Sequence, residues 1–287
     1  MKLYEQKAYA YFPGCSLATS AKENNKSLLS MTKKLGVDLI QLPDWNCCGS
    51  SSTHSINHGL AIDLAGRNLS LVPTNLPLVV ACPSCYIRLC QGYYQIKESK
   101  ELRDKYEEMW NKPFNDDLKI IHLFKLLENM NIKNRIANSK ILKDISYVPY
   151  YGCMLSKPID IPKEENYNGT IESVMKSMGA KHVEWSSMQK CCGTFLSVTH
   201  PKSITPIVNN IITEAIDSKA DCIVTACSMC HLNLEIRCDL GKKLPILHLT
   251  ELISIALGSK SYKKWFARHL VDPYPLLKEK GVFDDVA

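Results

Sequence analysis

Ten of the thirteen cysteines in this 287-residue chain follow one spacing pattern that occurs twice, about 140 residues apart. The first set is Cys15, Cys47, Cys48, Cys82 and Cys85, and the second is Cys153, Cys191, Cys192, Cys227 and Cys230. The intervals are 31, 33 and 2 residues in the first set and 37, 34 and 2 in the second. Thiolates grouped in this way are soft ligands, which select zinc, copper(I) or iron–sulfur clusters. The pattern therefore predicts two metal centres, one in each repeat.

Five thiolates in each set argue against two simpler uses of cysteine. A four-thiolate zinc site built from the two C-x-x-C pairs would leave the tandem and leading cysteines unexplained. A thioredoxin-like dithiol has the same shortcoming. Five also exceeds the four thiolates of an ordinary cubane cluster, so either one thiol is spare or the cluster is unusual. The cysteines outside the pattern are expected to be small buried hydrophobic residues: Cys90, Cys222 and Cys238.

Alternating apolar and helical segments surround the cysteines. In the first copy, AYAYFPGC, VDLIQLP and LPLVVAC read as strands, and residues 21–35 and 56–71 read as helices. In the second copy, SYVPYYGC and CIVTACSMC read as strands, and residues 171–178 and 204–218 read as helices. The pattern also predicts matching helices at IIHLFKLL and ILHLTELI, with His122 and His248 hydrogen-bonded inside their repeats.

This order predicts an α/β fold of two pseudo-symmetric repeats, each a small, mostly parallel sheet flanked by helices. We expect repeats over residues 1–145 and 146–258 and a helical extension over 259–287. The cysteines would lie where strands end and helices begin, in the crevice where open α/β sheets bind ligands. Gly49 and Gly193, which follow the tandem pairs, would allow backbone conformations that turn both thiolates toward one centre.

Composition limits the class of protein. Hydrophobic residues make up 45% and charged residues 22% of the chain, as in ordinary soluble proteins. No apolar run approaches the roughly 18 to 20 residues of a membrane helix, and the first residues lack a signal-peptide core. We therefore expect a cytoplasmic location. The net charge is +6, but the sequence contains no block of basic residues that would indicate nucleic-acid binding. Without a G-x-G-x-x-G dinucleotide motif, electrons would come from another protein.

Several polar residues near the cysteines are candidates for proton or substrate handling. His54 and His200 follow the two C-C-G triplets at similar offsets and are the predicted proton donors, although each could instead cap or pack against a helix. His231, directly after Cys230, is a weaker candidate. Lys157 and Lys190 could attract an anionic substrate or could simply be solvated. Aromatic residues beside the cysteines would shield a cluster from water: Trp45, Tyr150 and Tyr151.

The double frame resembles the cysteine-rich CCG repeat found in the B subunit of heterodisulfide reductase. The sequence around the cysteines also matches, in YFPGCSL, DWNCCGSSS, ACPSCYIRL, YYGCMLSKP and DCIVTACSMCHLNLEIR. The resemblance covers about residues 11–257. It implies two non-cubane [4Fe-4S] clusters, with all five cysteines of each set as ligands. Gly49 and Met154 depart from the pattern of hydrogenotrophic methanogens and resemble a wider branch that includes sulfate reducers and acetogens.

The resemblance also implies an activity and partners. The family reaction is reductive cleavage of a disulfide between the two clusters, either the coenzyme M–coenzyme B heterodisulfide or a related disulfide. The implied partners in the complex are the iron–sulfur C subunit together with the flavin-containing A subunit. The alternative is an electron-transfer subunit of another CCG-containing oxidoreductase, with the chemistry on a partner.

Overall fold

The computed structural model describes residues 6–156 and 167–283, so Lys157 lies outside the described residues. Within them, eight strands form two four-stranded sheets in which every paired neighbour is parallel. The first sheet contains β1 (Ala8–Phe12), β2 (Asp38–Gln41), β3 (Leu78–Val80) and β4 (Ile120–His122). The second contains β5 (Ser146–Tyr150), β6 (Lys181–His182), β7 (Cys222–Thr225) and β8 (Ile246–His248). Their orders, β2-β1-β3-β4 and β6-β5-β7-β8, are equivalent, which confirms the predicted two-repeat α/β fold.

Helices connect the strands in the same order in both repeats. The first repeat contains α1 (Gly14–Ala18), α2 (Lys22–Lys34), α3 (Thr53–Ile56), α4 (His58–Ser70), α5 (Pro83–Glu98), α6 (Lys100–Trp110), α7 (Leu123–Asn129) and α8 (Ile132–Ile136). The later helices are α9 (Gly152–Ser156), α10 (Thr170–Ser177), α11 (Pro201–Asp217), α12 (Ser228–Arg237), α13 (Leu249–Ala256), α14 (Tyr262–Phe266) and α15 (Tyr274–Glu279). Two short 3-10 helices, Ser187–Gln189 and Thr194–Leu196, flank the second tandem pair. Within the described residues, none of the helices is both long enough and apolar enough to cross a lipid bilayer.

The placement of His122 and His248 on helices was wrong. Each residue ends a fourth strand, β4 or β8, and caps the helix that follows. A run of only three residues such as Ile-Ile-His carries too little periodicity to separate strand from helix. The expected hydrogen bonding is confirmed, because His122 Nδ1 accepts from the Phe124 amide at 3.3 Å and His248 Nδ1 from the Thr250 amide at 3.4 Å.

One face of each sheet belongs to a single core shared by both repeats. Tyr11 and Leu28 from the first repeat and Tyr147 and Ile253 from the second are buried in it, together with Trp265 from α14. Helix α2 packs against α13 and α14. The opposite face of each sheet, where the alternate strand residues point, packs against its own separate core. The boundaries at residues 145 and 258 remain predictions.

Candidate functional site

Every motif cysteine lies in the connection or helix that follows the carboxyl end of a strand. Cys15 is in α1 after β1, the Cys47–Cys48 pair follows β2 in a loop, and Cys82 is the N-cap of α5 after β3. Because β2, β1 and β3 are neighbours in the sheet, their carboxyl ends bring the three cysteine groups together. The second repeat uses the equivalent positions after β5, β6 and β7, with Cys227 as the N-cap of α12.

Sulfur–sulfur contacts join cysteines within each set in two pairs. In the first set, the Sγ atoms of Cys47 and Cys15 are 3.6 Å apart, and those of Cys48 and Cys85 are 3.1 Å apart. The second set repeats this arrangement, with 3.6 Å between Cys153 and Cys191 and 3.5 Å between Cys192 and Cys230. The structure therefore brings together, in pairs, cysteines that the sequence pattern assigned to the same set. Their role as ligands remains a prediction.

Each set has a buried floor and an open rim. The floor of the first set is Cys48, Cys82 and Cys85, and that of the second is Cys192, Cys227 and Cys230. The rim cysteines Cys15, Cys47 and Cys191 are exposed, and Cys153 is half-buried. A group held on such a floor would be shielded from below and reachable by a partner or substrate from the rim.

Crowding makes the thiols of each set unequal as acids. The hydrogen bond between the Cys15 and Cys47 sulfurs raises the pKa of Cys15 and lowers that of Cys47 to about 2. Hydrogen bonding to Cys48 and Cys82 raises the pKa of buried Cys85 well above its ordinary value. The hydrogen bond with Cys153, and also the Gly193 amide that donates to Cys191 Sγ at 3.4 Å, lower the pKa of Cys191 to about 6. The Cys230 amide donates to Cys227 Sγ, also at 3.4 Å. Each set therefore contains thiolates and thiols that share protons. A bound metal would replace those protons, because metal ligands must be deprotonated.

The backbone beside each set leaves room for this packing of sulfur. Gly14 has φ +71°, and a Cβ placed on it would lie 2.9 Å from Cys85 Sγ. The equivalent Gly152 has φ +66°, and its Cβ would lie 3.1 Å from Cys230 Sγ. Both glycines therefore shape a cradle around a floor sulfur. Gly49 and Gly193 also have positive φ, at +71° and +74°, as the turn after each tandem pair requires.

Gly14→Ala is expected to lower the iron content of the purified protein toward half while leaving the second set loaded. Alanine at positive φ costs about 1–2 kcal/mol, and its methyl group also displaces Cys85 Sγ. Gly36→Ala is the matched control, because Gly36 has the same φ of +71° and, apart from its two chain neighbours, no described residue places an atom within 4 Å of its Cβ position. Iron and sulfide analysis of both variants checks the prediction, and an equal loss in both would show that the sulfur contact is unimportant.

The two sets meet through the helices that carry them. Helix α1, which holds Cys15, packs against α12, which holds Cys230, while α5 with Cys85 packs against α9 with Cys153. Two residues inside or beside the C-x-x-C pairs also bridge cores. Met229 packs against the separate cores of both repeats. Tyr86 packs against the shared core and against the separate core of the first repeat. The position of each residue next to a motif cysteine was the sequence signal that could have indicated this role.

The structure places the two predicted proton donors in different settings. His54 in α3 lines a cavity of about 190 Å³ together with Arg88, and its buried Nδ1 has no hydrogen-bond partner in the described chain. Burial, and then Arg88, lowers the pKa of His54. His200 is exposed and its Nδ1 lies 2.8 Å from Thr199 Oγ1. Their catalytic role stays a prediction.

Other candidates take mostly structural positions. Lys190 forms an ion pair with Glu214 at 3.1 Å. Trp45 packs edge-on against Phe12 with ring centroids 5.5 Å apart, in the core beside the first set. Tyr150 is buried and donates to the Lys190 carbonyl at 2.6 Å. Burial, and then the charge of nearby cysteines led by Cys230, raises the pKa of Tyr150.

Asn233 and the three remaining cysteines complete the surroundings. The Asn233 side chain, in α12, donates to the Cys192 carbonyl at 2.7 Å and so fixes the tandem pair of the second set. No sequence signal indicated that contact beyond the place of Asn233 on the helix that carries Cys230. Cys90, Cys222 and Cys238 are buried, as expected.

The chain is similar to proteins of two kinds of redox complex. The family model for the cysteine-rich CCG domain matches residues 9–90 and 147–235. A relative from Wolinella succinogenes, the 8-methylmenaquinol:fumarate reductase membrane anchor subunit, is 28% identical over 93% of this chain and 98% of its own length. The B subunit of the ferredoxin/F(420)H(2)-dependent CoB-CoM heterodisulfide reductase of Methanosarcina acetivorans is 27% identical over 86% of this chain and 88% of its own.

A solved structure shares the fold. The crystal structure of a hypothetical protein from Helicobacter pylori matches 92% of this chain with a TM-score of 0.70 at 13% identity, and this chain spans about half (52%) of that one. The resemblance to the heterodisulfide reductase B subunit is confirmed by the family match and the relative from Methanosarcina. Because the two matched segments cover more than half of the sequence and contain both five-cysteine sets, the chain belongs to the cysteine-rich CCG-domain family.

Proposed function

We propose that the chain is the disulfide-reducing subunit of a heterodisulfide reductase-type complex. The observation that carries the proposal is the pair of equivalent thiol sets, each with a buried floor and an open rim, joined through packed helices. In this proposal each set holds one non-cubane [4Fe-4S] cluster through its five cysteines. The donor set, the contacts of 3.1–3.6 Å and the glycine cradles support iron–sulfur binding at both places.

The proposed reaction consumes two electrons and two protons and converts one disulfide into two thiols. Two clusters would supply one electron each when bound. The chain's own part is to hold the floor sulfurs away from water and leave the rim accessible. His54 and His200 are the proposed proton donors. Burial and then Arg88 lower the pKa of His54, which disfavours the protonated ring that a proton donor needs, whereas His200 lies exposed at the surface.

The proposed partners supply the electrons. We propose that they are the iron–sulfur C subunit together with the flavin-containing A subunit. The proposed substrate is a small-molecule disulfide, which is the coenzyme M–coenzyme B heterodisulfide or a related compound. The proposed location is the cytoplasm, where thiols stay reduced. The relative from Methanosarcina, which belongs to a heterodisulfide reductase, supports this type of assembly.

A second candidate function is electron relay, in which the clusters only pass charge to a partner's active site. The specific observation in its favour is the 28% identity to a component of a fumarate reductase along nearly the whole of both chains. Two complete five-cysteine sets favour the first candidate.

An anaerobic dye assay separates the two candidates. The purified chain, with iron and sulfide measured, is mixed with reduced viologen and a panel of disulfides that includes the coenzyme M–coenzyme B heterodisulfide. We expect dye oxidation that depends on one class of disulfide. Intact clusters without turnover of any disulfide would reject the first candidate and support the relay.

A further inference from the structure

A second group of potential metal ligands lies outside the cysteine sets. The His231 Nε2 and Glu235 Oε1 atoms on α12 are 3.6 Å apart, and His269 Nδ1, beyond α14, is 3.4 Å from the same Glu235 oxygen. All three ligand atoms lie within 4.8 Å of one another. The residues His231 and Glu235 are 2% and 4% exposed, and the His269 side chain is fully buried. We call these three residues the buried triad.

The three facing atoms have no hydrogen-bond partner among the described residues. The other polar atoms of the same side chains are paired. His231 Nδ1 faces the Asn24 carboxamide, 3.0 Å from Nδ2 and 3.2 Å from Oδ1, and an N–H at Nδ1 that donates to Oδ1 leaves Nε2 without a proton; His269 Nε2 lies 2.9 Å from Glu251 Oε1. Buried polar atoms left without partners are costly. The paired atoms hold each ring so that its unpaired nitrogen points toward Glu235, as outer partners of metal-bound histidines do.

We propose that the buried triad binds a zinc ion. Zinc bonds of about 2.0–2.1 Å to nitrogen and oxygen give ligand–ligand edges of about 3.3–3.4 Å in a tetrahedron. Two of the three ligand separations, at 3.6 and 3.4 Å, are close to this edge, and the third is within 4.8 Å. An octahedral ion with bonds of the same length requires shorter edges of about 3 Å. Two histidines and one glutamate are an established donor set for zinc, with a fourth position left for water.

This zinc ion would join three parts of the chain. His231 and Glu235 belong to the helix that carries Cys230, His269 belongs to the C-terminal extension, and Asn24 reaches His231 from α2 of the first repeat. The backbone amide of Leu270 donates to Glu235 Oε2 at 3.0 Å, so the glutamate already anchors the extension. The site therefore fastens the extension and the first repeat to the helix that begins at the second cysteine set.

The rival occupant of this space is a proton. Burial lowers the pKa of His269, but Glu251 and Glu235 raise it further, to about 10 overall. Without metal, a protonated His269 would therefore lie between two carboxylates. A zinc ion adds metal to the protein and scatters X-rays, whereas a proton does neither, so the two alternatives can be distinguished without measuring activity.

The test uses the full chain purified anaerobically with intact clusters and then exposed to zinc. We expect one zinc ion per chain by mass spectrometry and a zinc absorption edge with only nitrogen and oxygen neighbours at about 2.0–2.1 Å. Zinc bound adventitiously to the cysteine sets would instead show sulfur at about 2.3 Å. No zinc in the wild-type chain, or zinc with sulfur neighbours alone, would overturn the proposal.

Variants assign the ligands. His269→Ala and Glu235→Gln are expected to lose the zinc and keep their iron, whereas His58→Ala, which alters an exposed histidine, should keep both. Asn24→Ala should weaken zinc binding about 10- to 100-fold, because it removes an outer partner of His231. Unchanged zinc content in both ligand variants would refute the triad as the site. If those variants do not fold, the absorption edge of the wild-type chain decides the question.

Discussion

Replacing Cys48 by alanine is expected to remove one cluster and abolish disulfide reduction. Cys48 is a buried floor residue, and its Sγ lies 3.1 Å from Cys85 Sγ. Because the position is buried, a thiol from the solvent cannot reach it and replace the lost sulfur. Iron and sulfide should fall to about half, because the second set is separate and complete. Cys192→Ala should have the same effect on the other set. The measurements are metal analysis and the viologen assay under anaerobic conditions.

Cys238→Ala is the matched control for this pair of variants. Cys238 is also buried but lies outside both sets, so its removal should leave iron content and activity near those of the wild type. Full activity of Cys48→Ala, with its iron at half, would rule out a mechanism that needs both clusters. Full iron in that variant would show that Cys48 is not a ligand.

Trp265→Ala is expected to lower the free energy of unfolding by about 3–5 kcal/mol, the usual cost of deleting a large buried aromatic side chain. Trp265 is 2% exposed and lies in the shared core, where α14 packs against α2 of the first repeat. The C-terminal extension is therefore part of what holds the two repeats together. Anaerobic urea denaturation followed by far-ultraviolet circular dichroism measures the change.

Leu270→Ala provides the comparison within the same extension. Leu270 is 64% exposed, so truncation of its side chain to alanine should change the unfolding free energy by less than about 0.5 kcal/mol. A similarly small change in Trp265→Ala would mean that the extension contributes little to the shared core.

The sequence predicted the arrangement near the cysteines because local rules determine it. An apolar strand followed by C-x-x-C predicts a strand end and a helix start, and Cys82 and Cys227 are indeed the N-caps of α5 and α12. Helix α2 was predicted to within one residue at each end, because its apolar pattern ends at Gly36. Strands β4 and β8 were missed because each runs into an apolar helix with no Gly or Pro between them, so strand and helix together form one apolar run.

Long-range contacts were beyond the sequence. The i,i+4 spacing of His231 and Glu235 can be read directly, but their third partner, His269, lies in an extension without a counterpart in the first repeat. The shared core was also unpredicted, since alternation along a strand such as β1 shows that two faces are buried without showing what covers each. Only the fold reveals that Tyr11 and Tyr147 lie in the same core.

The shared core has a consequence for how the chain is synthesised. The first repeat leaves the ribosome before the second, yet α2 finds its packing partner α13 only more than 200 residues later. Until then, apolar side chains such as Leu28 have no cover from the second repeat. We expect the first repeat made alone to aggregate, and stable insertion of its cluster to wait for the complete chain.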